Sequence, residues 1–200
     1  GEKNVGKKRF KGEIGYSLLT PIMRVLFRFY YNPKIINKEV IPKEGPILIV
    51  GNHKHIYDQC LTIMATKRVI HYMAKKEYFD GKMAWFFKLV GCIPVDRDGK
   101  DFATLKESID ILNQDGCIGI FPEGTRNRTD DIILPFKLGT VVLAKRSKSD
   151  IIPFAITGDY KLFGSNLHLH VGKRINTKDY GAQELLNETE DRVKKLILKG

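Results

Sequence analysis

The stretch that decides the fold is Pro46-Ile47-Leu48-Ile49-Val50-Gly51, followed without a break by Asn52-His53-Lys54-His55-Ile56-Tyr57-Asp58. Four consecutive branched aliphatic residues with no polar alternation describe a strand covered on both faces, as in a parallel or mixed sheet packed between helices. The pattern repeats along the chain. Residues 69–74, 93–95, 116–121, 151–157 and 167–171 also read as short strands, several of them continuously apolar. Between them lie helical spacings, including Phe102, Leu105, Ile109 and Leu112, and then Leu185, Leu186, Thr189, Val193, Leu196 and Ile197. The alternation predicts an α/β fold with a mixed, largely parallel sheet flanked by helices and preceded by an amphipathic helical segment. No internal repeat, low-complexity tract or long linker divides residues 35–200.

Composition agrees with one globular domain. The 200 residues are 42% hydrophobic and carry 34 Lys+Arg against 23 Asp+Glu, a net charge of +11. Disordered and fibrous classes are excluded. Cys60, Cys92 and Cys117 form an odd set without CxxC spacing, which points to reduced thiols and against a zinc finger. The positive excess admits three partners: nucleic acid, an anionic membrane surface, or an anionic substrate. No nucleic-acid motif accompanies it, and no patch of aromatics interleaved with basic residues lies near a strand.

Much of the excess lies in residues 1–34, where Lys3, Lys7, Lys8, Arg9, Lys11, Arg24, Arg28 and Lys34 face only Glu2 and Glu13. The apolar run from Ile14 to Met23 is broken by Arg24 and Arg28 and precedes no small-residue cleavage site, so it is not read as a secretion signal. A membrane span is not expected either, because the longest run free of Asp, Glu, Lys and Arg is residues 162–172. On a helical wheel, Ser17, Thr20, Arg24 and Arg28 of residues 14–31 share one polar sector. Leu18, Leu19, Ile22, Met23, Leu26, Phe29 and Tyr30 lie opposite. This predicts either one helix from about Thr20 or two helices bent at Pro21. Its partner is a membrane surface, or else the protein core with the basic residues turned to solvent. Residues 1–34 are accordingly expected to be a basic segment for membrane association, with residues 35–200 forming the α/β domain.

In open α/β sheets chemistry gathers at the carboxyl ends of strands. His53 and Asp58 follow the first apolar strand at a spacing of five, which brings them together only if the chain turns between strand and helix. A carboxylate beside an imidazole fixes its tautomer and leaves the other nitrogen as a general base. A second cluster, Phe121-Pro122-Glu123-Gly124-Thr125-Arg126-Asn127-Arg128, follows another apolar strand. Gly124 permits a tight turn, and the Arg126 guanidinium matches a phosphate. Arg97 stands just past the short strand at 93–95, and Lys137 could face the 121–128 loop. Trp85, with Phe86, Phe87 and Leu89, reads as a core or membrane-facing anchor.

Taken together, these clusters resemble the glycerolipid acyltransferases, the 1-acylglycerol-3-phosphate (lysophosphatidate) acyltransferase family. Asn52, His53 and Asp58 match its Asn-His-x4-Asp motif, and residues 121–126 match its Phe-Pro-Glu-Gly-Thr-Arg motif without a change. Lys75 with residues 91–97 is similar to its second block, and residues 151–158 with Pro153 to its fourth. The resemblance runs in order from about residue 37 to 175. It implies transfer of a fatty acyl group from a thioester, on coenzyme A or acyl carrier protein, to the free hydroxyl of 1-acylglycerol 3-phosphate. Glycerol 3-phosphate or another lysolipid is the alternative acceptor. His53 would be the base and Asp58 its orienting carboxylate, with no covalent intermediate. Glu123, Gly124, Thr125, Arg126, Arg97 and Lys75 would form the phosphate site, in which Glu123 either shapes the loop or binds a glycerol hydroxyl. No cofactor beyond the thioester co-substrate, no metal and no nucleic acid is implied, and the expected location is the cytoplasmic face of a membrane, peripheral or monotopic. Two rivals stand beside this reading. The His53/His55 and His168/His170 pairs are of the kind found in metal-dependent phosphohydrolases, and the charge alone would suit a membrane-surface binding module.

Overall fold

The computed structural model describes residue 10, residues 12–96 and residues 102–200. Lys3, Lys7, Lys8, Arg9 and Lys11 of the basic segment, and Arg97 of the expected phosphate site, lie outside the described residues. Within them one seven-stranded sheet runs in the order β1-β7-β6-β2-β5-β3-β4. Its strands are β1 (Lys34–Ile36), β2 (Ile47–Gly51), β3 (Ile70–Lys75), β4 (Ile93–Val95), β5 (Cys117–Ile120), β6 (Asp150–Thr157) and β7 (His168–Val171). β6, β2, β5, β3 and β4 are mutually parallel, while β7 runs antiparallel to β6 and pairs parallel with β1. The helices are α1 (Glu13–Tyr31), α2 (Asp58–Ala65), α3 (Ala84–Leu89), α4 (Phe102–Leu112), α5 (Gly139–Ser147) and α6 (Ala182–Lys199).

The unbroken apolar run of β2 is explained by its position at the centre of the sheet. Leu48 and Val50 join Ile118, Ile120 and Ile151 in a core layer completed by Leu112 of α4, Val141 of α5 and Leu185 and Val193 of α6. Ile47 and Ile49 point the other way, packing with Ile152 and Phe154 against Leu61 of α2 and Phe27 of α1. Successive side chains alternate between two buried layers, so both must be apolar. The six strands expected from sequence all form. β1 was not expected, since three residues beginning with an exposed lysine give no periodic signal.

The N-terminal helix departs from expectation in its extent. It is a single helix from Glu13 to Tyr31, continuous through Pro21. Proline withholds the N–H that the Ser17 carbonyl would accept, but both residues are exposed, where water can serve instead. The helix's orientation distinguishes the two arrangements expected for it. Tyr16, Thr20 and Phe27 are buried against the body of the protein, and the Arg24 guanidinium donates to the Ile63 and Thr66 carbonyls at the end of α2. A cation there also complements the helix dipole. Part of the polar sector therefore faces inward. The outward side carries Ile14, Leu18, Ile22, Val25, Leu26 and Phe29, with Leu18 68% and Val25 69% exposed. This excludes the arrangement in which the apolar face packs on the core and the basic residues meet solvent.

Neighbouring elements extend the apolar surface. Gly15 lets α1 approach α3 so closely that a Cβ there would fall 2.4 Å from a Leu89 side-chain carbon, and Trp85 of α3 is 61% exposed. At the other end Phe163 packs edge-on against Phe29 at 5.8 Å. No helix among the described residues is long and apolar enough to cross a membrane.

Candidate active site

Because five strands are parallel, their carboxyl ends share one edge of the sheet. β2 delivers Asn52 and His53 there, flanked by the segments leaving β5 and β6. The Asn52 amide clamps β6, donating to the Ile156 carbonyl at 3.0 Å and accepting from the Ile156 N–H at 2.7 Å. The next residue, His53, is held along its backbone by the β5 loop: its N–H donates to Glu123 Oε1 at 2.7 Å, and its carbonyl accepts from the Asn127 N–H at 2.7 Å. Its ring stacks on Phe121, with centroids 4.1 Å apart and planes 14° from parallel.

The chain then turns and α2 begins at Asp58, which is fully buried. His53 Nδ1 lies 2.8 Å from Asp58 Oδ2, so the turn needed to unite residues five apart is present. The same oxygen accepts from the backbone N–H groups of Lys54 at 2.6 Å and His55 at 2.8 Å, while Oδ1 accepts from the Tyr160 hydroxyl at 2.6 Å. A carboxylate receiving these donors acts only as an acceptor, so His53 must donate its Nδ1–H to it. In the neutral ring this tautomer leaves Nε2 with its lone pair. No protein group among the described residues bonds it, and the His53 side chain is 18% exposed. A buried carboxylate, an oriented imidazole and an accessible unprotonated nitrogen are the parts of a general base.

Glu123 belongs to the support of this base. Its second oxygen, Oε2, accepts from the Leu134 N–H at 2.7 Å. Both oxygens accept from backbone donors and the residue is buried, an arrangement that braces the loop against the turn carrying His53. Burial raises its carboxyl above the ordinary value, against the pull of the Leu134 and His53 N–H groups. Gly124 follows at φ +72, and a side chain there would meet the Lys137 amine at 2.7 Å. Lys137 thus lies across the loop, its own N–H bonded to the Pro122 carbonyl. Thr125 is exposed and Arg126 half-buried, and Arg126 has no ion-pair partner among the described residues. Lys75 is the last residue of β3, on the same edge. A free, partly buried guanidinium beside a left-handed glycine and a lysine is suited to an anion.

Sequence reasoning located the dyad and the cationic loop but not all that fixes them. Tyr160, Asn127 and the Asn52 clamp were not foreseen. Tyr160 lies 102 residues from the carboxylate it touches, and only its place just past the proline-bearing strand was visible. The histidine pairs of the rival reading stand apart: His55 stacks on Tyr160, while His170 contacts Thr157 on β6. Among the described residues no group of three or more His, Cys, Asp and Glu side chains converges as a metal site would require. Burial pushes the thiols of Cys60, Cys92 and Cys117 up to about 12, which leaves them protonated and unsuited as nucleophiles.

A mostly parallel α/β sheet with an imidazole–carboxylate pair and a cationic loop at its strand ends is an arrangement suited to enzymes that activate a hydroxyl near an anionic group. The comparisons are narrower. The model of the Acyltransferase family matches residues 32–157, and the chain belongs to that family. It is 32% identical over 171 residues to the 1-acyl-sn-glycerol-3-phosphate acyltransferase of Bacillus subtilis, covering 82% of this chain and 84% of that one. It is 27% identical over 186 residues to the enzyme of the same name from Streptococcus pneumoniae, covering 88% and 69%. Its fold is similar to the crystal structure of the 1-acyl-sn-glycerophosphate (LPA) acyltransferase PlsC from Thermotoga maritima, with a TM-score of 0.73 at 20% identity over 92% of this chain and 77% of that one.

Proposed function

We propose that this chain transfers a fatty acyl group from an acyl thioester, on coenzyme A or acyl carrier protein, to the free hydroxyl of 1-acylglycerol 3-phosphate, giving phosphatidate. The observation that carries the reading is the His53–Asp58 pair at 2.8 Å with Nε2 open, set against the loop that ends in Arg126. His53 Nε2 takes the acceptor's hydroxyl proton as its oxygen attacks the thioester carbonyl. The new C–O bond forms, the C–S bond breaks, and the imidazolium returns the proton to the departing thiolate. Asp58 stabilises the charged ring throughout. The acceptor phosphate is held by Arg126, Lys75 and the backbone at Gly124, with Arg97 as a further cation. The reaction needs no resident cofactor or metal.

The acceptor is a lipid, and the outward apolar face of α1 supports work at a bilayer surface. A helix that keeps Thr20 and Arg24 inside and Leu18, Ile22 and Phe29 outside is matched to the boundary between headgroups and acyl chains. Trp85 and Phe163 would enter the same layer, and the basic residues of 1–34 would meet anionic headgroups. Residues 1–34 thus act as the docking segment, holding the enzyme peripherally or monotopically on the cytoplasmic face. Incubation with lysophosphatidate and acyl-CoA, or acyl carrier protein thioester, should yield phosphatidate and free thiol in equal amounts. Acylation of glycerol 3-phosphate alone would reassign the acceptor, and turnover of neither would refute the reading.

A further inference from the structure

The two oxygens of Asp58 are held very differently. Oδ2 collects its donors from residues 53–55, within the turn that carries the base. Oδ1, on the far side of a fully buried carboxylate, accepts from the Tyr160 hydroxyl. Without that bond it would be a desolvated anionic oxygen lacking its donor, which is costly.

Tyr160 is itself fixed by its surroundings. It stands after β6, on a loop that turns at Gly158, whose φ of +76 and contact with the Asn166 carbonyl leave no room for a side chain. The Gly158 carbonyl accepts from the Lys54 amine, joining the loop to the base's own turn. The phenol ring stacks on His55 at 4.2 Å and 20°, and meets Tyr31 of α1 edge-on at 5.9 Å. Burial, and after it the charge of Asp58, push the phenol well above its ordinary value, so the hydroxyl keeps its proton and donates at all working pH.

We infer that Tyr160 is a positioning residue for acyl transfer, holding Asp58 from its outer oxygen so that the His53 ring keeps one tautomer and one direction. The inference rests on the acyl-transfer reading given above. A donor on Oδ1 also draws charge from the carboxylate. Removing it strengthens the pull of Asp58 on the imidazolium, and the ring then gives up its proton less readily.

The test compares the full chain with Tyr160→Phe, which keeps the ring, and Tyr160→Leu, which loses the ring contacts as well. With lysophosphatidate and acyl-CoA, Tyr160→Phe should lower kcat about tenfold, the worth of a little over one kilocalorie in the barrier, with both KM values unchanged. The acid limb of its kcat/KM profile should move to higher pH. In proton NMR the far-downfield signal of the His53 Nδ1–H, identified by its loss in His53→Gln, should shift in Tyr160→Phe. Tyr160→Leu should show the same catalytic loss with added thermal destabilisation. An unchanged kcat and pH profile in Tyr160→Phe would overturn the inference. So would a kcat loss accompanied by raised KM values and an unmoved ring-proton signal. A wild-type chain that acylates neither lysophosphatidate nor glycerol 3-phosphate would sink the acyl-transfer reading instead, and the ring-proton signal would still decide whether Tyr160 acts on Asp58.

Discussion

At the scale of single residues, the proposed mechanism separates groups that react from groups that hold. His53 is the only ring whose nitrogen is both oriented by a buried carboxylate and open to solvent among the described residues. His53→Ala should therefore reduce kcat by about 10²–10⁴-fold, the usual worth of a positioned base, while thermal unfolding stays near wild type. Among the described residues Arg126 has no ion-pair partner. A charge-assisted phosphate contact is worth about 1.5–3 kcal/mol, so Arg126→Ala should raise the acceptor KM by about ten- to a hundredfold and leave the donor KM alone, as steady-state titration of each substrate would reveal. These residue types were legible in the sequence because their spacing is local. The dyad spans one turn and the loop one strand end. Tyr160 was not legible, because only the pairing of β6 with β2 brings it to Asp58, and no pattern within either segment encodes that pairing.

At the scale of elements, α1 shows where sequence periodicity stops. The wheel divides a helix into faces, but it does not say which face the protein takes. The choice was made by particular contacts: Tyr16, Thr20 and Phe27 fit the body of the protein, and Arg24 answers the open carbonyls at the end of α2. Substituting Leu18 and Phe29 together by Ser should consequently change unfolding stability by about 0.5 kcal/mol at Leu18, as for other exposed positions, and by about 0.5–1.5 kcal/mol at Phe29, which loses its edge-on contact with Phe163. Flotation with anionic vesicles should fall sharply in the same variant, since each large apolar side chain buried in lipid contributes about 1.5–3 kcal/mol. A double variant that unfolds at lower temperature yet binds vesicles normally would place the outward face in a structural role. The strands tell the opposite story. Runs such as Ile47-Leu48-Ile49-Val50 were readable because burial on both faces leaves no polar position to blur them, while β1 was too short and too exposed to register.

At the scale of the whole molecule, the sheet is the common frame for the two core layers and the site. Ile49 is 1% exposed and lies in the layer shared with Phe154 and Leu61. Truncation to Ala should cost about 2–5 kcal/mol of global stability in urea unfolding, and because His53 follows four residues later, activity should fade in step with folded population and not before it. The net charge of +11 now has two addresses. One is residues 1–34 of the sequence, and the other is the strand-end edge with Lys75, Arg126 and Lys137.

The outward side of α1 also governs how the protein behaves when no lipid is present. Ile14, Leu18, Ile22, Val25, Leu26 and Phe29 are a ready seam between copies once water is the only alternative. In detergent-free buffer the chain should sediment as mixed oligomers whose average mass climbs with concentration. A mild detergent above its micelle threshold should return it to a single protomer in one micelle, and the Leu18/Phe29 serine variant should remain monodisperse without any.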